Sequence, residues 1–411
     1  METDVAIVGA GAAGIAAARR LRSLGLAHVL LEAGTRVGGR AWTRRLASGR
    51  FDAGAAWLHD AERNPLVPLA TAAGVALHHA AFHERRLHLG ARWATPAELA
   101  AFDRAAGRFD ATARAACAVR DLPLAEAVAG LDDPFLPTLL YFESCLIAAA
   151  DPARLSAHDW RDNALLGTNL SPERGVGALL APLAPRDVVL RAAVTRISGR
   201  GPVALETTNG TLRARAAILT VSAGVLQAGA IRFAPALPAR WQEALASLPM
   251  GLLSKIVLTP RAGAPPPLRA GSVARRRLAP GEPGMFFHIG PLGARHVVGF
   301  FGGPVAWEAA DPRAAEAFAR AEWRRLFGTT ADAIFARAAA TAWGTDPLFR
   351  GAYAYALPGG AAARAVLAEP EAGLILAGEA VRVDGLAGTV GGAWLAGEAA
   401  AAHAVRWLRR A

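Results

Sequence analysis

The sequence predicts an α/β fold whose parts are interleaved along the chain, and three stretches carry that prediction. The apolar run Asp4-Val5-Ala6-Ile7-Val8 leads without a linker into Gly9-Ala10-Gly11-Ala12-Ala13-Gly14. Near the other end, Leu374-Ile375-Leu376-Ala377 leads into Gly378-Glu379, then Gly388-Thr389-Val390-Gly391-Gly392-Ala393 opens a helix reaching about Leu408. Between them, at about 251–345, a mixed α and β segment starts a strand of its own in Ser254-Lys255-Ile256-Val257.

Asp4–Val8 reads as the first strand because it is short, apolar and stopped by glycine. An Ala-rich amphipathic helix follows the glycine turn to about Leu24, and a second strand, His28 to Leu31, ends at Glu32. Strand, GxGxxG turn, helix, strand and acid together are the fingerprint of a Rossmann-like dinucleotide site. Gly9 permits the tight turn, Gly11 lets backbone approach a pyrophosphate, and Gly14 lets helix and strand pack closely. The free N–H groups at the helix start, Ala13 among them, face the phosphates. Glu32 lies 18 residues past Gly14, near the roughly 20 expected of an acid on the adenosine ribose. Ala33 follows it into the same site.

The chain does not stop at the acid. Gly38-Gly39-Arg40 follows, then Asp52-Ala53-Gly54-Ala55-Ala56-Trp57-Leu58-His59. A nicotinamide enzyme has no reason for a second glycine pair and an arginine just there. The pattern E-A-x-x-R-V-G-G-R resembles the signature of FAD-dependent amine oxidases and their desaturase and porphyrinogen-oxidase cousins. The resemblance implies FAD rather than NAD, with Gly39, Arg40, Gly54, Ala55, Ala56 and Trp57 lining its site.

Composition fits one flavoenzyme. At 411 residues the chain exceeds a single core, so two domains are expected. The net charge is +11, but the arginines are scattered and no basic stripe alternates with aromatics, so nucleic acid is not an expected partner. No run of about 18 apolar residues exists to span a membrane. The first strand leaves no room for a signal peptide, and Cys117 and Cys145 build neither a disulfide framework nor a metal site. The expected compartment is the cytoplasm.

Among 45 lysines and arginines, Lys255 is the only lysine. Arginine is a planar fork, whereas lysine is a compact charge on a thin stem whose pKa falls on burial. Its setting, M-G-x-x-x-K-[IV]-V, resembles the segment that carries the flavin-side lysine of amine oxidases. In that family the ammonium reaches a water next to flavin N5, where a cation stabilises negative charge developing on flavin and dioxygen.

The C-terminal stretch resembles the family's closing motif, A-G-E then G-[YT]-[VM]-x-G-A. The resemblance implies that Gly378, Thr389 and Val390 border the flavin, with the Val390 N–H at its C2 carbonyl, and that Glu379 holds the ribityl hydroxyls or a bridging water. In the middle, Val188-Val189-Leu190, Val194-Thr195-Arg196-Ile197 and Ala216 to Val221 read as strands, with Thr208-Asn209-Gly210-Thr211 as a hairpin turn. The amide at Val194 matches one that meets the adenine. Residues 76–175 read mainly as helices broken at Pro96, Pro123, Pro134, Pro137 and Pro152. The expected division is an FAD domain at 1–75, 176–250 and 346–411, with an α+β substrate domain at 76–175 and 251–345.

Within the family, Ala55-Ala56-Trp57-Leu58-His59 resembles the G-A-x-W-I-H string of polyamine oxidases, with Asp60 where they carry glycine. His59 is then expected to face the substrate amine. Tyr353 matches one wall of an aromatic sandwich beside the flavin, while Thr389 replaces the other. Ala352 stands where some members carry the cysteine that bonds the flavin, so FAD is expected to be non-covalent. Glu143 and Asp151 are candidates for a carboxylate on a distal ammonium. The expected activity is hydride transfer from an amine α-carbon to flavin N5, with dioxygen as acceptor and hydrogen peroxide released. Lys255, His59 and Tyr353 are the expected catalytic side chains. Two alternatives stand beside it: a desaturase or porphyrinogen-oxidase-type enzyme on an apolar ring, and a flavin-binding subunit without turnover. The oligomeric state is open.

Overall fold

A computed structural model describes residues 2–80 and 82–410. Its larger sheet has seven strands assembled from three distant parts of the chain. Glu2–Val8 lies parallel to His28–Leu31 on one side and to Gly210–Leu219 on the other. The Gly210–Leu219 strand is shared: its first half pairs antiparallel with Val203–Thr207, and its second half pairs parallel with Leu374–Leu376. Val5 to Val8 are all buried, as expected of a parallel strand covered on both faces. Val8 is in register with Leu219, and Leu219 with Leu376. Three carboxyl ends therefore stop at one level, and Gly9, Thr220 and Ala377 leave the sheet side by side. That edge is where open α/β sheets bind ligands.

The helices Ala12–Ser23 and Val390–Leu408 pack against each other over this sheet. A Cβ on Gly397 would come within 2.0 Å of the Ala13 carbonyl oxygen, so glycine lets the two backbones touch. The Val188–Leu190 strand expected from sequence is reduced to a single bridge between Val189 and Leu31.

The second sheet has six strands, in the order Phe335–Ala340, Leu253–Pro260, Val297–Gly302, Phe286–Ile289, Val273–Arg276, Arg85–His88. Neighbours are antiparallel except the last pair. Lys255 is the third residue of an inner strand, opposite Phe300. Residues 76–175 are less purely helical than expected, since Leu77–His79, Arg85–His88 and Leu170–Pro172 are strands. Arg85–His88 sits at the sheet's edge, where Arg85 reaches out to Asp103. Charge is tolerated on an edge strand, which hides it from an apolar-pattern reading.

Several of the expected breaks are starts. Pro96 is the first residue of the helix Pro96–Cys117, behind a capping box of Thr95 and Glu98, where its missing N–H costs nothing. Pro137 sits in the first turn of Leu136–Tyr141. That helix continues as a π-helix over Phe142–Ile147, a form frequent at functional sites. With Ala157–Asp162 these helices share a core of Phe102, Phe109, Leu139 and Trp160. Among the described residues no helix is long and apolar enough to cross a membrane, and no cluster of three metal-ligating side chains occurs.

Candidate active site

A cavity of about 780 Å³ runs from the carboxyl edge of the seven-stranded sheet to the helical layer, within the roughly 300–1,000 Å³ typical of ligand and cofactor sites. Gly9, Gly11, Ala13, Glu32, Ala33, Gly39, Arg40 and the Gly54-Ala55-Ala56-Trp57 run all line it, as do Val194, Gly378, Glu379, Thr389 and Val390. Gly14 does not; a Cβ there would lie 1.9 Å from the Gly9 oxygen, so its place is packing, as its position in the fingerprint implies.

The turn fits a dinucleotide. Gly9 has φ +103, a conformation that favours glycine. Thr220 Oγ1 donates to the carbonyls of Val8 and Gly9, each at 2.9 Å, and fixes the turn from behind. A Cβ on Gly11 would meet nothing nearer than Gly39 Cα at 3.9 Å. The space above this backbone is left unfilled by protein. The Ala12–Ser23 helix has no side-chain cap and no acid in its first turn, so its N–H groups and dipole remain for an anion. Glu32 is already engaged, accepting from Ala10 N at 2.8 Å and Gly34 N at 2.7 Å; the same carboxylate borders the cavity.

Arg40 and Glu379 join the first motif to the last. Arg40 Nη1 donates to Glu379 Oε1 at 3.0 Å and to the Ala352 carbonyl at 2.7 Å, and Ala354 N donates to the same carboxylate. Thr389 is the N-cap of the last helix, accepting from Gly392 N. Ala352 lines the cavity.

Lys255 is buried, yet its ammonium reaches the cavity wall. Nζ donates to the carbonyls of Gly54 at 2.5 Å and Asp52 at 3.0 Å. It lies 5.1 Å from the Phe300 ring centre and 5.7 Å from that of Trp57. Two of its three hydrogens are thus engaged, and one remains. Burial pulls its pKa down to about 8, against a smaller opposing pull from the Asp52 carboxylate.

His59 borders the same space, with Nδ1 2.7 Å from Asn169 Oδ1. An amide oxygen facing Nδ1 places the ring hydrogen there and leaves the lone pair on Nε2. Burial lowers the His59 pKa, so the imidazole is neutral at pH 7. Tyr353 lines the cavity with its ring against Gly388, and its hydroxyl donates to the Ile147 carbonyl at 2.8 Å. Burial raises its pKa.

The two candidate acids separate. Glu143, on the π-helix, lines the cavity and accepts from Trp160 Nε1 at 3.1 Å; burial raises its pKa. Asp151 is not in the wall, and accepts from Ala153 N instead. Sequence reasoning missed Asp110, Trp160, Asn169, Thr220 and Trp343, all of which line the cavity. Trp343 Nε1 donates to the Ala53 carbonyl at 2.9 Å. None of them belongs to a motif; only Thr220, directly after the strand that precedes it, carried a positional signal.

The turn and its strand order define a dinucleotide-binding α/β protein, and residues 7–73 match the NAD(P)-binding Rossmann-like domain. Residues 100–405 match the model of the flavin-containing amine oxidoreductases. The chain belongs to that family, which carries a flavin. Polyamine oxidase 4 of Oryza sativa subsp. japonica is 27% identical over 97% of this chain and 88% of its own length. Polyamine oxidase 3 of the same plant is 30% identical over 61% of this chain, an alignment spanning 58% of that relative. Among solved structures, cyclohexylamine oxidase from Brevibacterium oxydans IH-35A has the same fold, with a TM-score of 0.81 at 22% identity over 100% of both chains.

Proposed function

We propose that this protein is an FAD-dependent oxidase of primary or secondary amines that releases hydrogen peroxide and an imine, which water converts to aldehyde and amine or ammonia. The observation that carries the reading is Lys255: the chain's one lysine leaves an inner strand and ends in the cavity wall, on carbonyls of the Asp52–His59 string. FAD held without a covalent link would supply the two-electron chemistry, accepting a hydride from the amine α-carbon and returning the electron pair to dioxygen.

The chain's own groups do the rest. The uncapped helix at Ala12 and the bare backbone of Gly11 would hold the diphosphate, and the N-terminus of the helix at Val390 would offer its N–H groups to negative charge on the flavin. Lys255 offers its remaining hydrogen to the developing charge there. His59, neutral with a free Nε2, takes a proton from the incoming ammonium so that the amine binds uncharged. Tyr353 guides the amine from one side, while Thr389 leaves the other side open to bulkier nitrogen substituents. Glu143, rather than Asp151, is the carboxylate placed to meet a distal ammonium. The reading divides the chain into an FAD domain at 1–75, 176–250 and 346–411 and a substrate domain at 76–175 and 251–345. A cytoplasmic location fits two free, buried cysteines.

An enzyme on an apolar ring system calls for a wholly apolar pocket. This wall carries Lys255, His59, Glu143, Asp110 and Asn169, which favours amines. Anaerobic mixing of the holoprotein with individual amines tests the proposal: bleaching of the flavin's visible absorption by at least one primary or secondary amine is expected. No bleaching by any amine, with full bleaching by dithionite, contradicts it.

A further inference from the structure

Asp60 is a conformational anomaly with a chemical reason. Its φ is +48, a left-handed value that glycine adopts freely and side-chain-bearing residues resist. What occupies this strained position is a carboxylate with a partner on each oxygen. The Asp60 side chain is 7% exposed. Oδ1 accepts from Gly167 N at 2.6 Å, and Oδ2 pairs with Arg63 Nη2 at 2.7 Å. Arg63 Nη1 in turn donates to the Asp384 carbonyl at 2.6 Å. Asp60 thus joins its own segment to Gly167 directly and to Asp384 through Arg63.

The segment captured by Asp60 crosses the cavity. Ala164, Leu165, Leu166 and Asn169 all line it, and Leu166 is 82% exposed, so this stretch lies at the cavity mouth. From Gly167 onward the chain is fastened to residues 58–62. Thr168 N donates to the Glu62 carboxylate, Ala61 N to the Thr168 carbonyl at 2.8 Å, and Leu58 and Leu170 exchange two backbone bonds. Asn169 meets His59 in the same zipper. On the other side, Asn163 is held to Asp159 at the end of its helix. Among the described residues no backbone hydrogen bond holds Leu165 or Leu166. They form an apolar flap fixed at its two ends.

We infer that Asp60 is a positioning residue: it latches the Ala164–Leu166 flap across the cavity mouth, sets Asn169 against His59, and so selects amines by their apolar part. The fit is close, since a Cβ on Gly167 would lie 2.5 Å from Asp60 Oδ1 and 2.6 Å from Glu62 Oε2. The selection of amines rests on the amine-oxidase reading; the latch itself does not.

The test compares holoenzyme carrying Asp60→Gly, Asp60→Asn or Gly167→Ala with the wild type. Glycine accepts the backbone conformation and removes the carboxylate. Asparagine keeps an acceptor for Gly167 N. Alanine at 167 wedges the latch open while Asp60 remains, and it serves if Asp60→Gly does not fold. Amide hydrogen exchange at Gly167 and Thr168, the bonded amides at the flap's far end, is expected to quicken about tenfold or more in Asp60→Gly and Gly167→Ala, the loss of one charge-assisted bond, with Asp60→Asn between these and the wild type. The KM of cyclohexylamine should rise several-fold relative to that of ethylamine in the same two variants, with an unchanged flavin spectrum. Wild-type exchange in both variants overturns the latch, and faster exchange with an unchanged KM ratio overturns its part in selection. If the wild type oxidises neither amine, the amine reading fails, and the exchange rates still decide the latch.

Discussion

Arg40 and Glu379 stand 339 positions apart and meet at 3.0 Å. The contact ties the loop after the glycine-rich turn to the strand end before the last helix, and through the Ala352 carbonyl to the Tyr353 segment as well. Three stretches that look independent in the sequence are thereby one wall of one cavity.

Arg40→Ala takes from Glu379, 5% exposed, its hydrogen-bonded cation and leaves it the Ala354 amide and the longer-range charge of Arg364. Breaking a buried pair from one side typically costs about 3 kcal/mol or more. The variant should melt lower and purify with less flavin than the wild type, while Glu379→Gln should do so more mildly. Equal flavin content in all three proteins would show that the pair does not shape the cofactor's site.

The proposal of non-covalent FAD rests on Ala352. It has no thiol, and the only cysteines, Cys117 and Cys145, are buried and free, with burial pushing the Cys145 thiol up to about 12. Acid precipitation should therefore leave the yellow colour in the supernatant. Colour retained on the washed pellet would mean a covalent link through another residue.

The order of the three motifs, and the α/β class with an interleaved α+β part, could be read from the chain because each depends on local rules. A parallel strand buried on both faces is a plain apolar run, and a dinucleotide turn needs its glycines at fixed offsets. What could not be read depends on tertiary placement. Arg85–His88 is polar because it is an edge. Asn169 and Trp343 carry no motif and become part of the wall only when distant segments close on them. Glu143 and Asp151 looked alike until the π-helix carried one of them into the cavity. Asp60 was visible as a departure from a pattern, but its reason lies in Gly167, 107 residues away.

Lys255→Met removes a cation held near Trp57 and Phe300. Reoxidation of the reduced flavin by oxygen should slow about a hundredfold, the usual effect of losing one preorganised electrostatic group, with flavin content unchanged. The pH dependence follows from its value of about 8. Below that pH Nζ is charged, and above it the charge is lost, so wild-type reoxidation should weaken as pH rises through 8. Stopped-flow reoxidation across pH checks both points; a flat profile shared by wild type and variant removes Lys255 from the reaction.

His59 governs the acid side. Burial lowers its pKa, with the Asn169 hydrogen bond and Asp60 opposing less strongly, so it stays neutral down to a pH below the ordinary 6.5 of histidine. The fall of kcat/KM attributable to His59 should therefore lie below pH 6.5, where imidazolium repels the ammonium. His59→Ala should abolish that limb and lower kcat/KM by about a hundredfold if the ring moves the proton. An acid limb identical in wild type and variant assigns the profile to the substrate's own pKa.

The most direct measurement is peroxide release from the purified, flavin-loaded protein across a panel of monoamines, diamines and polyamines in air. The expected result is peroxide formed in equal amount to the aldehyde or imine product with at least one primary or secondary amine, and none with carotenoid or porphyrinogen substrates. Flavin that stays oxidised with every amine while an apolar ring compound reduces it would contradict the assignment at its centre.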